Sequence, residues 1–285
     1  MNKKYCEHNG KRIAYVDEGN GDPIIFFHGN PTSSYLYRNI ISDLKGEYRC
    51  FAADMIGMGD SDKLDNSSHM TYTFQTHYEY LCSFIDSLNL EKKVTLVGQD
   101  WGGPLSIKWA REHPDRVHGI CYFETVIAPA KSEQMEEGIR GLFMMLRSDK
   151  GDKKVLEENF FVEKMLGTDP IEPFSEEVMN EYRKPYLNPG EDRRPTLDWP
   201  RQIPIDREPI EVHEEVKSNL SFMVENEIPK LLIIGDPGRL MKGQLIEFCR
   251  TFKNQTEVTV KGNHFLQEES PKEIAEALNN WIKTI

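Results

Sequence analysis

The run Val94-Thr95-Leu96-Val97 leads directly into Gly98-Gln99-Asp100-Trp101-Gly102, and a helical spacing of apolar residues follows through Leu105, Ile107 and Trp109 to His113-Pro114. An apolar run of this length bounded by glycine reads as a buried strand, and the pattern behind it as a helix. A chain passing from strand to helix in so few residues must turn sharply. The flanking glycines permit that turn, and the side chain at its apex, Asp100, is pushed out of the packed layer. The Gly-x-x-x-Gly frame alone carries little weight, because at about 7% glycine a chain this long contains one roughly once by chance. Its context is what constrains the fold. The competing reading makes Asp100 an ordinary helix N-cap.

Around this corner the rest of the chain repeats the same alternation. Two short strands flank the Asn9-Gly10 turn, and Pro23-Ile24-Ile25-Phe26-Phe27 is a buried strand ending at His28-Gly29. Further strands are expected from Arg49 to Asp54, from Val117 to Phe123 with Glu124 at its end, from Lys230 to Ile234 before Gly235-Asp236, and from Glu257 to Val260 shortly before His264. Strands separated by helices predict an α/β chain with a mostly parallel sheet covered on both faces. From Pro129 to about Asn226 the texture changes to charged helical segments bearing Met and Phe, with proline-rich breaks and no strand-like run. The expected organisation is a core of residues 1–128 and 227–285, with residues 129–226 inserted as a helical cap. Near the C-terminus, Ser270, Pro271 and Glu273 predict an N-cap, a first helical residue and a capping box for a helix that buries Ile274, Leu278 and Trp281.

The 285 residues suffice for one large core carrying an insertion. Hydrophobic residues make up 38%, and the 20 glycines bring the apolar share near the roughly 45–50% of globular domains. A net charge of −12 repels phosphate backbones and anionic lipid, so neither nucleic acid nor a membrane surface is an expected partner. The five cysteines, Cys6, Cys50, Cys82, Cys121 and Cys249, are widely spaced and form no CxxC pair, which implies neither a disulfide framework nor a zinc site. Charged and polar residues interrupt the start of the chain before an apolar leader develops, and no stretch nears the ~20 apolar residues of a membrane span. A cytoplasmic location and a neutral or weakly polar small-molecule ligand are therefore expected.

An apical aspartate needs no base to deprotonate it at neutral pH and attacks carbon directly, leaving an ester. That ester must then be hydrolysed, which calls for a base to activate water. Of the eight histidines, His264 is the best placed, just past the last strand in Gly262-Asn263-His264-Phe265. His8, His69, His77, His113, His118 and His213 sit in polar or helical stretches, where a solvated or locally satisfied ring is expected. Two carboxylates compete to orient His264. Glu124 is favoured because it terminates the apolar run Ile120-Cys121-Tyr122-Phe123, where an unpartnered carboxylate is costly. Asp236, before Pro237-Gly238, suits an ordinary turn equally well. Backbone N–H groups at His28-Gly29-Asn30-Pro31 and at Trp101 are expected to form an oxyanion hole. The Asn30 amide and the Trp101 indole add two neutral donors beside Asp100, which suit a leaving halide, an anion that needs no proton. Gly57-Met58-Gly59-Asp60 lacks the third glycine of a dinucleotide fingerprint and is expected to be a turn, while Met144-Met145 and Phe160-Phe161 read as core.

Taken together, these signatures resemble the haloalkane dehalogenase family, specifically the subfamily with a glutamate acid. They stand here as His28-Gly29-Asn30-Pro31-Thr32-Ser33-Ser34, Asp54-Met55-Ile56-Gly57-Met58-Gly59, Gly98 to Gly103, Phe123-Glu124, Arg194-Pro195-Thr196-Leu197-Asp198-Trp199-Pro200 and His264-Phe265-Leu266-Gln267-Glu268. The resemblance runs nearly the whole chain. It implies an α/β-hydrolase fold, Asp100 as nucleophile, His264 as base, Glu124 as its orienting acid, Asn30 and Trp101 as the halide-binding pair, and an apolar pocket lined by Phe143, Phe161, Pro200 and Leu240. The implied reaction converts a haloalkane and water to alcohol and halide through an alkyl ester on Asp100. It needs no cofactor or metal, and a monomer or weak homo-oligomer suffices. The aspartate position of the other subfamily falls near Gly238, which further demotes Asp236. A coelenterazine-oxidising luciferase is similar in the same stretches, including Phe160-Phe161-Val162-Glu163. An epoxide hydrolase also uses an apical aspartate but protonates the opening oxygen from cap tyrosines, for which Tyr182 and Tyr186 are candidates. A non-catalytic binding protein on this scaffold usually loses triad members, and all three are present here.

Overall fold

The computed structural model, which describes residues 2–285, contains strands β1 (Lys4–His8), β2 (Lys11–Glu18), β3 (Asp22–Phe27), β4 (Tyr48–Ala53), β5 (Val94–Asp100), β6 (Val117–Thr125), β7 (Lys230–Pro237) and β8 (Gln255–Gly262). They form one sheet in the order β1-β2-β4-β3-β5-β6-β7-β8. Only β1–β2 and β2–β4 pair antiparallel; the other neighbours are parallel.

The central strands are apolar throughout because both of their faces are covered, and their period of two divides the side chains between two cores. Ile25, Leu96, Ile120, Tyr122 and Leu232 point to one side, where the helices Phe74–Ser87, Gly102–Glu112 and Ile210–Glu225 contribute Leu81, Leu105, Trp109 and Val216. Ile24, Phe26, Val97, Cys121, Phe123 and Leu231 point to the other, against Ile41 and Leu44 of Arg38–Leu44 and Leu278 and Trp281 of Pro271–Ile282. A buried side chain of this kind contributes about 1.5–3 kcal/mol, so these two layers dominate the stability of the scaffold.

Between β6 and β7 the chain is helical, with only isolated bridges at Ile205. Glu137–Leu146 and Arg194–Arg201 lie in this stretch and share a small cluster around Leu146, Leu156, Phe161 and Leu197. Ile210–Glu225 instead packs on Gly102–Glu112: Asn219 donates to the Pro104 carbonyl at 2.9 Å, and Glu215 pairs with Lys108 and Arg111.

One capping expectation is not met. The C-terminal helix does begin at Pro271, but no capping box forms, because the Ser270 hydroxyl donates to the Lys261 carbonyl of β8 at 2.6 Å. The Gly57–Asp60 segment is a turn, with Gly57 at φ 81° and Gly59 at φ 55°, and the Asp60 N–H donates to the buried Asp54 carboxylate at 2.8 Å. Among the described residues no helix is long and apolar enough to cross a membrane.

Candidate active site

β5 ends at Asp100, and the helix Gly102–Glu112 starts two residues later with Trp101 as its N-cap, so Asp100 occupies the corner and does not cap the helix. Its φ of 51° lies in the left-handed region, which costs a residue with a side chain about 1–3 kcal/mol. Tertiary contacts hold it there. The pairing with β6 slips register between Gln99 and Asp100, and the Thr125 hydroxyl donates to the Asp100 carbonyl at 2.6 Å. A Cβ on Gly102 would come within 2.0 Å of the Phe27 carbonyl oxygen, so only glycine lets the helix start this close to β3. A Cβ on Gly29 would sit 2.2 Å from Asp100 Oδ1. The Asp100 carboxylate accepts from the Asn30 backbone N–H at 2.7 Å and from the Trp101 N–H. Burial raises its pKa, against the opposing pull of His264 and these two donors.

His264 follows β8 and turns its ring between two carboxylates. Its Nε2 lies 3.7 Å from Asp100 Oδ2, and its Nδ1 lies 3.3 Å from Glu124 Oε2. Glu124, itself at φ 42° and 1% exposed, accepts backbone N–H groups from Arg239 at 3.1 Å, Leu240 at 2.7 Å and Met241 at 3.4 Å. Hydrogen bonds to a charged group contribute about 1.5–3 kcal/mol each, which offsets the burial of this carboxylate at the end of an apolar strand. Asp236 is exposed, so Glu124 is the carboxylate beside the imidazole. A Cβ on Gly238 would lie 3.1 Å from Glu124 Oε1, so a side chain there would crowd the same slot. Burial lowers the His264 pKa, but the Glu124 hydrogen bond and the Asp100 charge outweigh it and leave it above the ordinary 6.5. With Nδ1–H directed at Glu124, Nε2 is the accepting nitrogen, and the Gln99 amide approaches it at 3.0 Å.

Asn30, Asp100, Trp101 and His264 open onto a cavity of about 130 Å³ whose other walls include Phe143, Phe161, Pro200 and Leu240. One Asn30 amide hydrogen is directed at the Thr196 carbonyl at 3.1 Å, and the second remains for a ligand. The Trp101 indole is held by stacking: its ring lies 4.7 Å from Trp199, which lies 4.1 Å from His77. His77 is therefore not the solvated or locally satisfied ring expected of it. Both its nitrogens are buried without a partner, and burial pushes its pKa down to about 3, so it remains neutral.

Some sequence expectations do not coincide with this cavity. Met144 is 56% exposed and is not core, whereas Phe161 faces the cavity wall. Tyr182 donates to Glu268 and Tyr186 is fully buried beneath Lys63; neither lines the cavity. Ile139 and Leu142 do line it, at the helical spacing that could have joined them to Phe143. Asp169, Arg239 and Gln99 also stand at the site without having been expected there, since nothing local distinguishes them. Among the described residues no cluster of His, Cys, Asp and Glu is arranged to hold a metal ion.

This geometry agrees with what the chain is similar to. The model of the α/β-hydrolase fold family matches residues 22–271. A haloalkane dehalogenase of Sphingobium indicum is 48% identical over 283 residues, covering 99% of this chain and 96% of that one. The crystal structure of a haloalkane dehalogenase from Agrobacterium tumefaciens superposes with a TM-score of 0.92 at 32% identity, covering 99% and 96% of the two chains. The coelenterazine h 2-monooxygenase of Renilla reniformis is more distant, at 36% identity over 92% of this chain and 84% of its own. With an apical aspartate, a glutamate-oriented histidine and near-complete coverage at this identity, the chain belongs to the haloalkane dehalogenase family of α/β hydrolases.

Proposed function

We propose that this protein hydrolyses haloalkanes to alcohol and halide, with Asp100 as the nucleophile, His264 as the base, Glu124 orienting it, and Asn30 and Trp101 receiving the halide. The observation that carries this reading is a buried carboxylate on an apolar cavity, with an imidazole nitrogen 3.7 Å from one oxygen and backbone N–H groups of Asn30 and Trp101 donating to the carboxylate. In the first step an Asp100 oxygen displaces halide from carbon: a C–O bond forms, and the C–X bond breaks with its electron pair leaving on the halide. No proton is required. Neutral N–H donors suffice to stabilise the departing anion, at about 1.5–3 kcal/mol each.

In the second step His264 Nε2 takes a proton from water, whose oxygen attacks the ester carbonyl carbon of Asp100. The oxyanion that forms is met by the Asn30 and Trp101 N–H groups that already hold the carboxylate. Collapse expels the alkoxide, which takes the proton back from His264; the carboxylic acid left on Asp100 then gives up the second water proton through His264 to solvent, and the carboxylate is restored. Esterification also removes the Asp100 charge that raised the proton affinity of His264, so the ring is more readily neutral when a base is needed.

Within the proposed cap of residues 129–226, Phe143, Phe161 and Pro200 reach the cavity, while Ile210–Glu225 packs on the core helix Gly102–Glu112 instead. Dry cavities of about 150 Å³ admit benzene, so 130 Å³ suits short haloalkanes. In this reading a cytoplasmic monomer or weak homo-oligomer takes halogenated hydrocarbon and water and releases halide. Incubation with 1-bromobutane or 1,2-dibromoethane is expected to release bromide, and the His264→Phe variant to accumulate an alkyl adduct on Asp100 in a mass spectrum. Absence of bromide across a broad haloalkane panel overturns the reading, as does diol formation from styrene oxide in its place.

A further inference from the structure

The loop that carries His264 is tied to the helical segment lying over the cavity, and one residue, Asp169, contacts both His264 and its neighbour Asn263. Asp169 follows the helical turn Phe161–Leu166. Its Oδ2 accepts the backbone N–H of His264 at 3.0 Å, and its carbonyl accepts the Asn263 side-chain amide at 2.6 Å. Its Oδ1 lies 3.3 Å from Nε of Arg239. Arg239 in turn donates its backbone N–H to Glu124. The carboxylate of Asp169 therefore touches the loop bearing the imidazole on one oxygen and the loop that cradles Glu124 on the other. Its side chain is 6% exposed, and that of Arg239 is 56% exposed. Both residues line the cavity.

A cap residue that served only as packing would not need a buried carboxylate, since burying a charge is costly unless its partners are well placed. Here the partners are the backbone of the histidine and the side chain of a residue that holds its acid. The His264–Glu124 contact at 3.3 Å is long for a hydrogen bond to a carboxylate, so small shifts of either loop break it. Nothing else described at His264 fixes its backbone N–H.

We propose that Asp169 is a positioning residue for the hydrolytic half of the reaction, aligning His264 with Glu124 by bridging their two loops through the His264 N–H and Arg239. This rests on His264 being the base that activates water. Alkylation of Asp100 does not use the imidazole, and hydrolysis of the ester does, so a residue acting through His264 separates the two steps. A residue that merely holds the cap in place disturbs both alike.

The test is rapid-quench kinetics of the full chain with 1-bromobutane, reading the bromide burst for alkylation and the decay of the alkyl-enzyme by mass spectrometry for hydrolysis. In Asp169→Ala, hydrolysis is expected to fall at least tenfold further than alkylation, in line with the ~10²-fold penalty that a 1 Å misplacement of a reacting group can carry. Asp169→Asn keeps an acceptor for the His264 N–H and loses the ion pair, so its hydrolysis is expected to lie between that of Asp169→Ala and the parent. Arg239→Gln is expected to match Asp169→Asn, and the two combined to add little. Alkylation and hydrolysis falling in proportion in all three single variants, or hydrolysis unaltered in Asp169→Ala, overturns the proposal. The absence of any bromide burst in the parent overturns instead the dehalogenase reading beneath it.

Discussion

At the residue scale, the proposed reactive centre couples two protonation states across 3.7 Å. The negative charge of Asp100 raises the proton affinity of His264, and burial raises that of Asp100. Replacing Asp100 by Asn removes the charge but keeps the shape, so the imidazolium loses an attraction and the His264 pKa is expected to fall; an NMR titration of the ring in Asp100→Asn and the parent measures the shift. With His264 as the proposed base, hydrolysis needs the neutral ring and is expected to be lost as pH falls through the His264 pKa. Because the ester intermediate lacks the Asp100 charge, the acid limb of the hydrolysis rate is expected at lower pH than the His264 titration of the resting protein, which pH-dependent single-turnover measurements check. Asp100, Glu124 and His264 were legible in the sequence because each lies at or just past the end of a recognisable strand. Asp169 and the neutral, partnerless His77 were not, since what defines them is a neighbour far away in the chain.

At the element scale, the corner between β5 and the helix Gly102–Glu112 depends on close approach of backbone to backbone. Gly102→Ala puts a methyl group against the Phe27 carbonyl, where neither strand nor helix can retreat without breaking pairings. A loss of about 1–3 kcal/mol or more in urea unfolding is expected, together with loss of activity as Asp100 shifts. All eight strands were readable, β1 and β2 from the Asn9-Gly10 turn between them and the central parallel ones because strands buried on both faces are apolar runs that end in glycine, charge or turn residues. The Ser270 hydroxyl was misread as a cap. A serine before a Pro-x-Glu helix start ordinarily caps it, but here the end of β8 offers the Lys261 carbonyl closer at hand.

Across the whole molecule, the segment after Asp169 is sewn to the histidine loop by further contacts. Glu269 accepts the N–H groups of Ile171 and Asn263, each at 2.8 Å, and Glu268 accepts from Tyr182 and, through both oxygens, from Arg38. Arg38 and Glu268 are 18% and 5% exposed, so removing the carboxylate strands a guanidinium that is largely out of water. Glu268→Ala is expected to cost about 3 kcal/mol of stability by urea unfolding, the lower end of the range for breaking a buried pair. The sequence by itself determined the strand order of chemistry: a carboxylate at a sharp corner, a glutamate ending the next strand and a histidine after the last one. These depend on local backbone conformation and on burial at a period of two, which nearby residues specify. Only the tertiary structure decided which side chains meet across the cavity, such as Asn30 with Thr196, 166 residues apart, or His264 with Asp169, 95 apart. Such contacts arise when separately folded segments dock, and no periodicity or turn residue encodes the partner on the far side.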